Sequence, residues 1–277
     1  MPILGARGGA SSRGLGQFTG NPTAPTSPVT GYHLWLDAAN AASFTYSSGS
    51  VVSQWTDRSA NAFTFTTAGT TNQPSRSGTQ NGKSTVLFDG SNDYLLSTAA
   101  KSTWKYLHDG TQTTVFFVVK ANETSGSSNW VFSTGGFENG AKLQLDYSGS
   151  PATAAYTVQS TFPGYVMNYG ITIPSGHNIY TYKVDVNNST NSNKMTAYRN
   201  AGASQGSILV SSWSAPSTTD PYSSLYLGTG YGGSFTDGTY PEYMFSGEIA
   251  EIIVYKSLLS DSDRIANVNY LRAKWGI

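Results

Sequence analysis

From Tyr32 to Tyr255 short apolar runs recur between clusters of Ser, Thr, Asn and Gly, the spacing expected of many short strands joined by turns. Within residues 179–186, Tyr180, Tyr182, Val184 and Val186 alternate with Thr181, Lys183 and Asp185. That period of two predicts a strand with one buried and one solvated face. Leu143, Leu145 and Tyr147 alternate with Gln144 and Asp146 in the same way. Residues 115–119, Val-Phe-Phe-Val-Val, are apolar throughout and predict a strand covered on both sides. The mix of one-sided and two-sided strands predicts two packed layers.

The last element reads as a helix. Ser260 stands at a capping position with Asp263 three residues on, and Ile265, Val268, Leu271 and Trp275 recur near helical spacing. The expected apolar stripe should pack on the strands. No fixed-period repeat signals a solenoid or propeller. Residues 1–29 read as an extended arm: Gly-rich up to Gly20, then a linker spaced by Pro22, Pro25 and Pro28. The arm holds Arg7 and Arg13 with no acidic residue, and Ile3, Leu4, Leu15 and Phe18 are apolar side chains that a partner surface could cover. These six are the candidate anchoring residues, and residues 30–277 are expected to form one sandwich.

Composition narrows the functional classes. The 277 residues are 38% hydrophobic, 13% aromatic and only 12% charged, with 30 Gly and 18 Tyr, which suits one large all-β domain plus an appendage. Sixteen basic residues balance sixteen acidic ones, so no net field draws in nucleic acid or an anionic membrane. The absence of Cys removes disulfides, thiolate nucleophiles and cysteine metal sites. The opening residues lack the apolar run of a secretory signal, and no stretch approaches about 18 apolar residues. The expectation is a soluble product with no membrane insertion.

Four blocks carry a likeness to a known family. They are Leu34-Trp35-Leu36-Asp37-Ala38; Val52-Ser53-Gln54-Trp55-Thr56-Asp57-Arg58-Ser59; the run from Val86-Leu87-Phe88-Asp89-Gly90 to Asp93-Tyr94-Leu95; and Phe245-Ser246-Gly247-Glu248-Ile249-Ala250-Glu251 continuing to Tyr255. Tyr270-Leu271-Arg272-Ala273-Lys274-Trp275 completes the pattern. The chain resembles the laminin-G-like, concanavalin A-like lectin/glucanase superfamily in the version found in many bacteriophage and bacterial surface proteins. The resemblance implies an all-β, two-sheet antiparallel β-sandwich (jelly roll) with a short C-terminal helix behind the N-terminal arm. Each block also has a plain local reading, with Asp57, Asp89 and Asp93 as turn formers.

Glucanases of this superfamily use paired carboxylates on one strand face. Their Glu-x-Asp-x-x-Glu strand is missing, and Glu248 and Glu251, three apart on a regular strand, should point to opposite faces. The expectation is two structural carboxylates, satisfied by backbone or turn donors, and no enzyme. His33, His108 and His177 form no pair at zinc-ligand spacing, and neither a Gly-x-Ser-x-Gly elbow nor a Walker motif occurs. A calcium ion is the one candidate cofactor, with Asp93, Asp185, Asn187, Asp220 and Asp237 as oxygen donors of the right type. Sugar binding would use aromatic rings in loops as stacking platforms: Tyr222 crowds a Gly-rich segment with Tyr231 and Tyr240, and Trp130, Tyr165, Tyr169, Tyr231 and Tyr240 are the leading candidates.

The resemblance implies a bacteriophage virion protein, a capsid decoration or tail appendage assembled in the bacterial cytoplasm. Its partners would be capsid or tail proteins, with host surface glycans as a further candidate. Virion appendages are usually symmetric, so a homo-oligomer is expected, a trimer being one such order. The alternative is a free carbohydrate-binding module, and a glycoside hydrolase ranks below both.

Overall fold

The computed structural model describes residues 25–277 apart from positions 68, 123–127, 136–138, 149, 162 and 231–242. The six anchoring candidates of the arm, together with Tyr231, Tyr240 and Asp237, lie outside the described residues.

In chain order the strands are β1 (Tyr32–Asp37), β2 (Phe44–Ser48), β3 (Val51–Thr56), β4 (Thr64–Thr66), β5 (Ser75–Gln80), β6 (Lys83–Asp89) and β7 (Leu95–Ser97). They continue with β8 (Thr113–Ala121), β9 (Ser128–Ser133), β10 (Gly140–Asp146), β11 (Thr153–Thr161), β12 (Gly164–Thr172) and β13 (Asn178–Val184). After β14 (Met195–Arg199), β15 (Ser204–Gln205), β16 (Ser207–Ser211), β17 (Tyr226–Leu227) and β18 (Ser246–Tyr255), the chain closes on helix α1 (Asp261–Trp275).

The pairings, all antiparallel, resolve into two layers. Sheet A runs β15–β14–β13–β8–β18. The far edge of β18 is shared, its first half pairing with β6 and its second half with β1, and β6 carries β5. Sheet B runs β16–β12–β11–β10–β9–β17–β7–β4–β3–β2. A single pairing, Val51 with Ser75, links the layers at one edge. Between them lies the core, where Phe117 of β8 meets Phe132 of β9 and Tyr156 of β11 at ring separations of 5.3 and 6.1 Å. The chain is an antiparallel β-sandwich with a C-terminal helix, as its alternation predicts.

Strand β8 shows why one run is apolar on both sides. Val115 to Val119 are at most 1% exposed. Phe117 points into the core, whereas Phe116 on the other face meets Tyr255 edge-on at 6.1 Å, under α1. The same roof changes β13. Thr181, expected at a solvated face, is fully buried, because α1 lies over that face. Lys183 reaches Asp261 at 3.3 Å, and the Arg264 guanidinium sits 3.9 Å from the ring of Tyr198, the partner of Thr181.

Helix α1 begins as its sequence requires. Ser260 Oγ accepts the Asp263 N–H at 3.1 Å, and Gly276 ends the helix in the left-handed region, donating its N–H to Arg272 O. Such an N-cap contributes about 1 kcal/mol. The buried stripe is not the apolar one expected. Ile265 is 48% exposed, while Arg264 and Asn267 join Val268, Tyr270, Leu271 and Trp275 against the sheet. Polar partners beneath explain the exchange: Asn267 Oδ1 accepts from the Val29 N–H (2.9 Å) and lies 3.2 Å from Tyr255 Oη. No helix among the described residues is long and apolar enough to cross a membrane.

Candidate functional site

Residues from four of the five quoted runs, those around Trp35, Arg58, Glu251 and Lys274, converge on the outer face of sheet A under α1. Glu251, fully buried, accepts from Trp35 Nε1 (2.6 Å) and Tyr270 Oη (2.8 Å) on one oxygen, and from Trp275 Nε1 and Lys274 Nζ (both 2.7 Å) on the other. Lys274 also donates to Asp37 Oδ1 at 2.6 Å, whose second oxygen takes Arg58 at 2.6 Å. Asp57 accepts the backbone N–H groups of Trp35, Ser59 and Phe63. Its role is therefore partly the expected turn and partly a staple onto β1. Burial pushes Glu251 above the usual carboxylate range, with Lys274 pulling the other way. A cleft of about 410 Å³, lined by Pro25, Thr26, Asp37, Arg58, Lys83, Tyr270, Ala273 and Lys274, opens beside this network.

A bulge corrects the expectation for the two glutamates. Glu248 pairs with Lys120 and Glu251 with Val118, and the register shifts between Ile249 and Glu251. Lys120 and Val118 are two apart on β8, so their partners share one face. The carboxylates nevertheless stand in separate networks. Glu248 accepts from Lys120 Nζ at 2.9 Å and from Thr85 Oγ1, with His177 Nε2 at 3.5 Å. The donors are side chains, not the backbone or turn groups expected. Burial works against the Glu248 carboxylate, but the Thr85 and Lys120 hydrogen bonds outweigh it and hold the group below its ordinary value. His177 is pushed down to about 4, mainly by burial.

The outer side of sheet B is different. Leu227 of β17 is buried in the core, so its neighbour Tyr226 projects outward, where it meets Tyr94 at 5.9 Å. There lies an open depression of about 690 Å³ lined by Lys101, Asn139, Thr219, Asp220, Pro221, Tyr222, Ser223 and Tyr226. Its wall is fixed by backbone bonds from Tyr222 N to Asn139 O (3.1 Å) and from Ser223 N to Thr134 O (3.0 Å). Beneath the wall, Thr219 O lies 2.9 Å from His108 Nε2, and burial lowers the pKa of that imidazole. Amides, hydroxyls, a carboxylate and two phenol rings thus converge on one open surface, the composition of a binding site for a hydroxylated ligand.

Of the described aromatic candidates only Tyr222 lines this depression. Trp130 is 1% exposed, its ring parallel to Tyr243 at 4.6 Å and the Lys142 ammonium 4.0 Å from its centroid. It therefore offers no free stacking face. Burial brings Lys142 down to about 8. A Cβ on Gly230 would fall 1.6 Å from Trp130 Cε3, so only glycine fits there. Tyr165 and Tyr169 lie along β12, on the outer side of sheet B beyond the depression, and Tyr169 is 41% exposed. Of the calcium candidates, Asp93 uses one carboxyl oxygen to accept the Asp89 N–H (3.0 Å), and burial raises it to about 6. Among the described residues no three of His, Cys, Asp and Glu stand together.

No family model and no curated protein matches the chain. Solved structures do. The receptor-binding domain of botulinum neurotoxin D aligns with a TM-score of 0.55 at 10% identity, over 87% of this chain and 52% of that one. A Trypanosoma rangeli sialidase, in complex with a difluorinated nononic acid, aligns with a TM-score of 0.51 at 13% identity over 91% and 36%. What these two share with the chain is the antiparallel β-sandwich architecture. The CBM40 module of a Ruminococcus gnavus sialidase, bound to α2,3-sialyllactose, aligns over 59% of this chain and 84% of its own at 18% identity, with a TM-score of 0.41. At these identities the likeness is one of architecture, and the chemistry of this sandwich has to be argued from its own residues.

Proposed function

We propose that the chain is a glycan-binding module whose site is the depression on sheet B. The observation that carries this reading is the meeting of Tyr222 and Tyr226 with Asn139, Thr219, Asp220 and Ser223 around one open volume of about 690 Å³. Pyranose rings present apolar C–H faces to phenol rings and hydroxyls to amides and carboxylates, and the lining supplies both. Asp220 is the one carboxylate among the described lining residues, so the carboxylate pair used by most glycoside hydrolases is not assembled there, and binding is the reading this lining supports. A glycan array tests it. The wild type should bind at least one glycan, and Tyr222→Ala or Tyr226→Ala should weaken that binding tenfold or more, about 1.4 kcal/mol. A wild-type chain that binds nothing on a broad array would overturn the proposal.

A bacteriophage virion appendage is the second reading, and the way the linker is held favours it. Pro28 is buried, the Val29 N–H donates to Asn267 on α1 at 2.9 Å, and its carbonyl accepts from Tyr255 Oη at 2.6 Å. Pro28 and Val29 are thus fixed on the sheet A side, and in this reading the arm anchors through Ile3, Leu4, Arg7, Arg13, Leu15 and Phe18. None of the three structural neighbours is a virion protein, and this reading rests on the linker and the sequence resemblance. Deleting residues 2–20 should leave the sandwich folded and abolish incorporation into particles. Truncated protein that still incorporates would count against the anchor.

A further inference from the structure

Sheet edges normally carry some protection against pairing with another chain, such as charge, bulges or brevity. Most edges here are protected. Strand β2 is bulged twice against β3 and β15 is two residues long, while the outer edge of β1 is covered by the turn through Asp57, with Arg58 N bonded to Trp35 O at 2.8 Å. Strand β16 carries no charge and no bulge, although the short helical turn Asn191–Asn193 comes close to it. It pairs with β12 in unbroken register over its five residues, and among the described residues no other backbone bond reaches it. No charged residue stands between Arg199 and Asp220. Leu209 at its centre is 37% exposed, and its cross-strand partner Met167 adds to an apolar row on the same outer face.

We infer that β16 is a self-association edge and that its partner is the β16 of a second copy of this chain. The strand reads Ser207-Ile208-Leu209-Val210-Ser211, close to a palindrome in side-chain type. Antiparallel pairing about a two-fold axis at Leu209 sets Ser207 opposite the partner's Ser211, Ile208 opposite the partner's Val210, and Leu209 opposite its own copy. Every pair matches in shape and polarity, with no like charges opposed. The pairing satisfies the open N–H and C=O groups of β16 and extends sheet B across both copies. The product is a dimer, not the trimer named from the resemblance. A contact built on one five-residue strand falls below the roughly 1,200–2,000 Å² of stable specific interfaces, so the dimer should dissociate on dilution.

Sedimentation velocity over a dilution series tests this. The wild type should approach twice the monomer mass at high micromolar concentration and return to monomer when diluted. Leu209→Lys and Leu209→Glu, each placing like charges across the axis, should stay monomeric with unchanged circular dichroism. An equimolar mixture of the two should recover the dimer, because the axis then opposes unlike charges. Amide exchange of the wild type should slow at residues 208–210 as concentration rises. A wild type that is monomeric throughout overturns the proposal and leaves the edge to a strand from another protein. A dimer that persists in both charge variants, without slowed exchange at β16, overturns it equally.

Discussion

The two outer faces of the sandwich are built on opposite principles. On sheet A, helix α1 seals charges inside: Asp37 and Glu251 are 2% and 0% exposed, and both are tied to Lys274. On sheet B a depression lined by polar and aromatic side chains stands open, with Tyr226 and Tyr222 only partly buried, although Asn139 Oδ1 and Ser223 Oγ are themselves buried. Buried ion pairs held by several hydrogen bonds each fix one arrangement of helix on sheet. Open polar groups beside aromatic rings contribute little to folding and remain available for binding. One face holds the molecule together and the other meets its surroundings.

The most severe way to break this contrast is Glu251→Ala. It strands Lys274 and two indole N–H groups in a buried site, and it should cost about 3–5 kcal/mol in denaturant unfolding. Lowering the pH attacks the same sheet more gently. His177 is held neutral, its value depressed from 6.5 to about 4, so the unfolded chain binds the proton first as acid is added. Its stabilising contribution is fully present above pH 6.5 and is lost as pH falls towards about 4, a loss of about 1–3 kcal/mol. His33, also depressed to about 4, acts in the same direction. His177→Gln should therefore flatten the acid limb of the stability curve without abolishing it. Ser260→Ala should cost about 1 kcal/mol through the lost cap. Ile265→Lys, at the exposed flank of α1, should change stability by less than about 0.5 kcal/mol. A cost comparable to that at Glu251 would show that the helix stripe is assigned to the wrong face.

The fold was legible where one local rule governed. Alternation found β10, the unbroken apolar run found β8, and Ser260 with Asp263 found the start of α1. Sequence reading missed features that arise only between elements. The bulge at Ala250 brings Glu248 and Glu251 to one face, and no residue type in the run Glu-Ile-Ala-Glu announces it. The solvated face expected at Thr181 is roofed by a helix more than 70 residues further along the chain. Trp35, Asp37, Arg58, Glu251 and Lys274 were each visible as parts of family-like blocks, but their convergence was not. The depression gathers Lys101, Asn139 and residues 219–226, three distant segments that share no spacing, which is why Trp130 drew attention that Tyr226 did not.

The central claim is that ligand recognition belongs to the open face of sheet B. Hydrogen–deuterium exchange, with and without a glycan selected on the array, tests it most directly. Residues 219–226 should gain protection on binding while α1 and β16 remain unchanged. Protection confined to α1 and the cleft beside Lys274 would contradict the account and move the binding site to the face assigned here to stability.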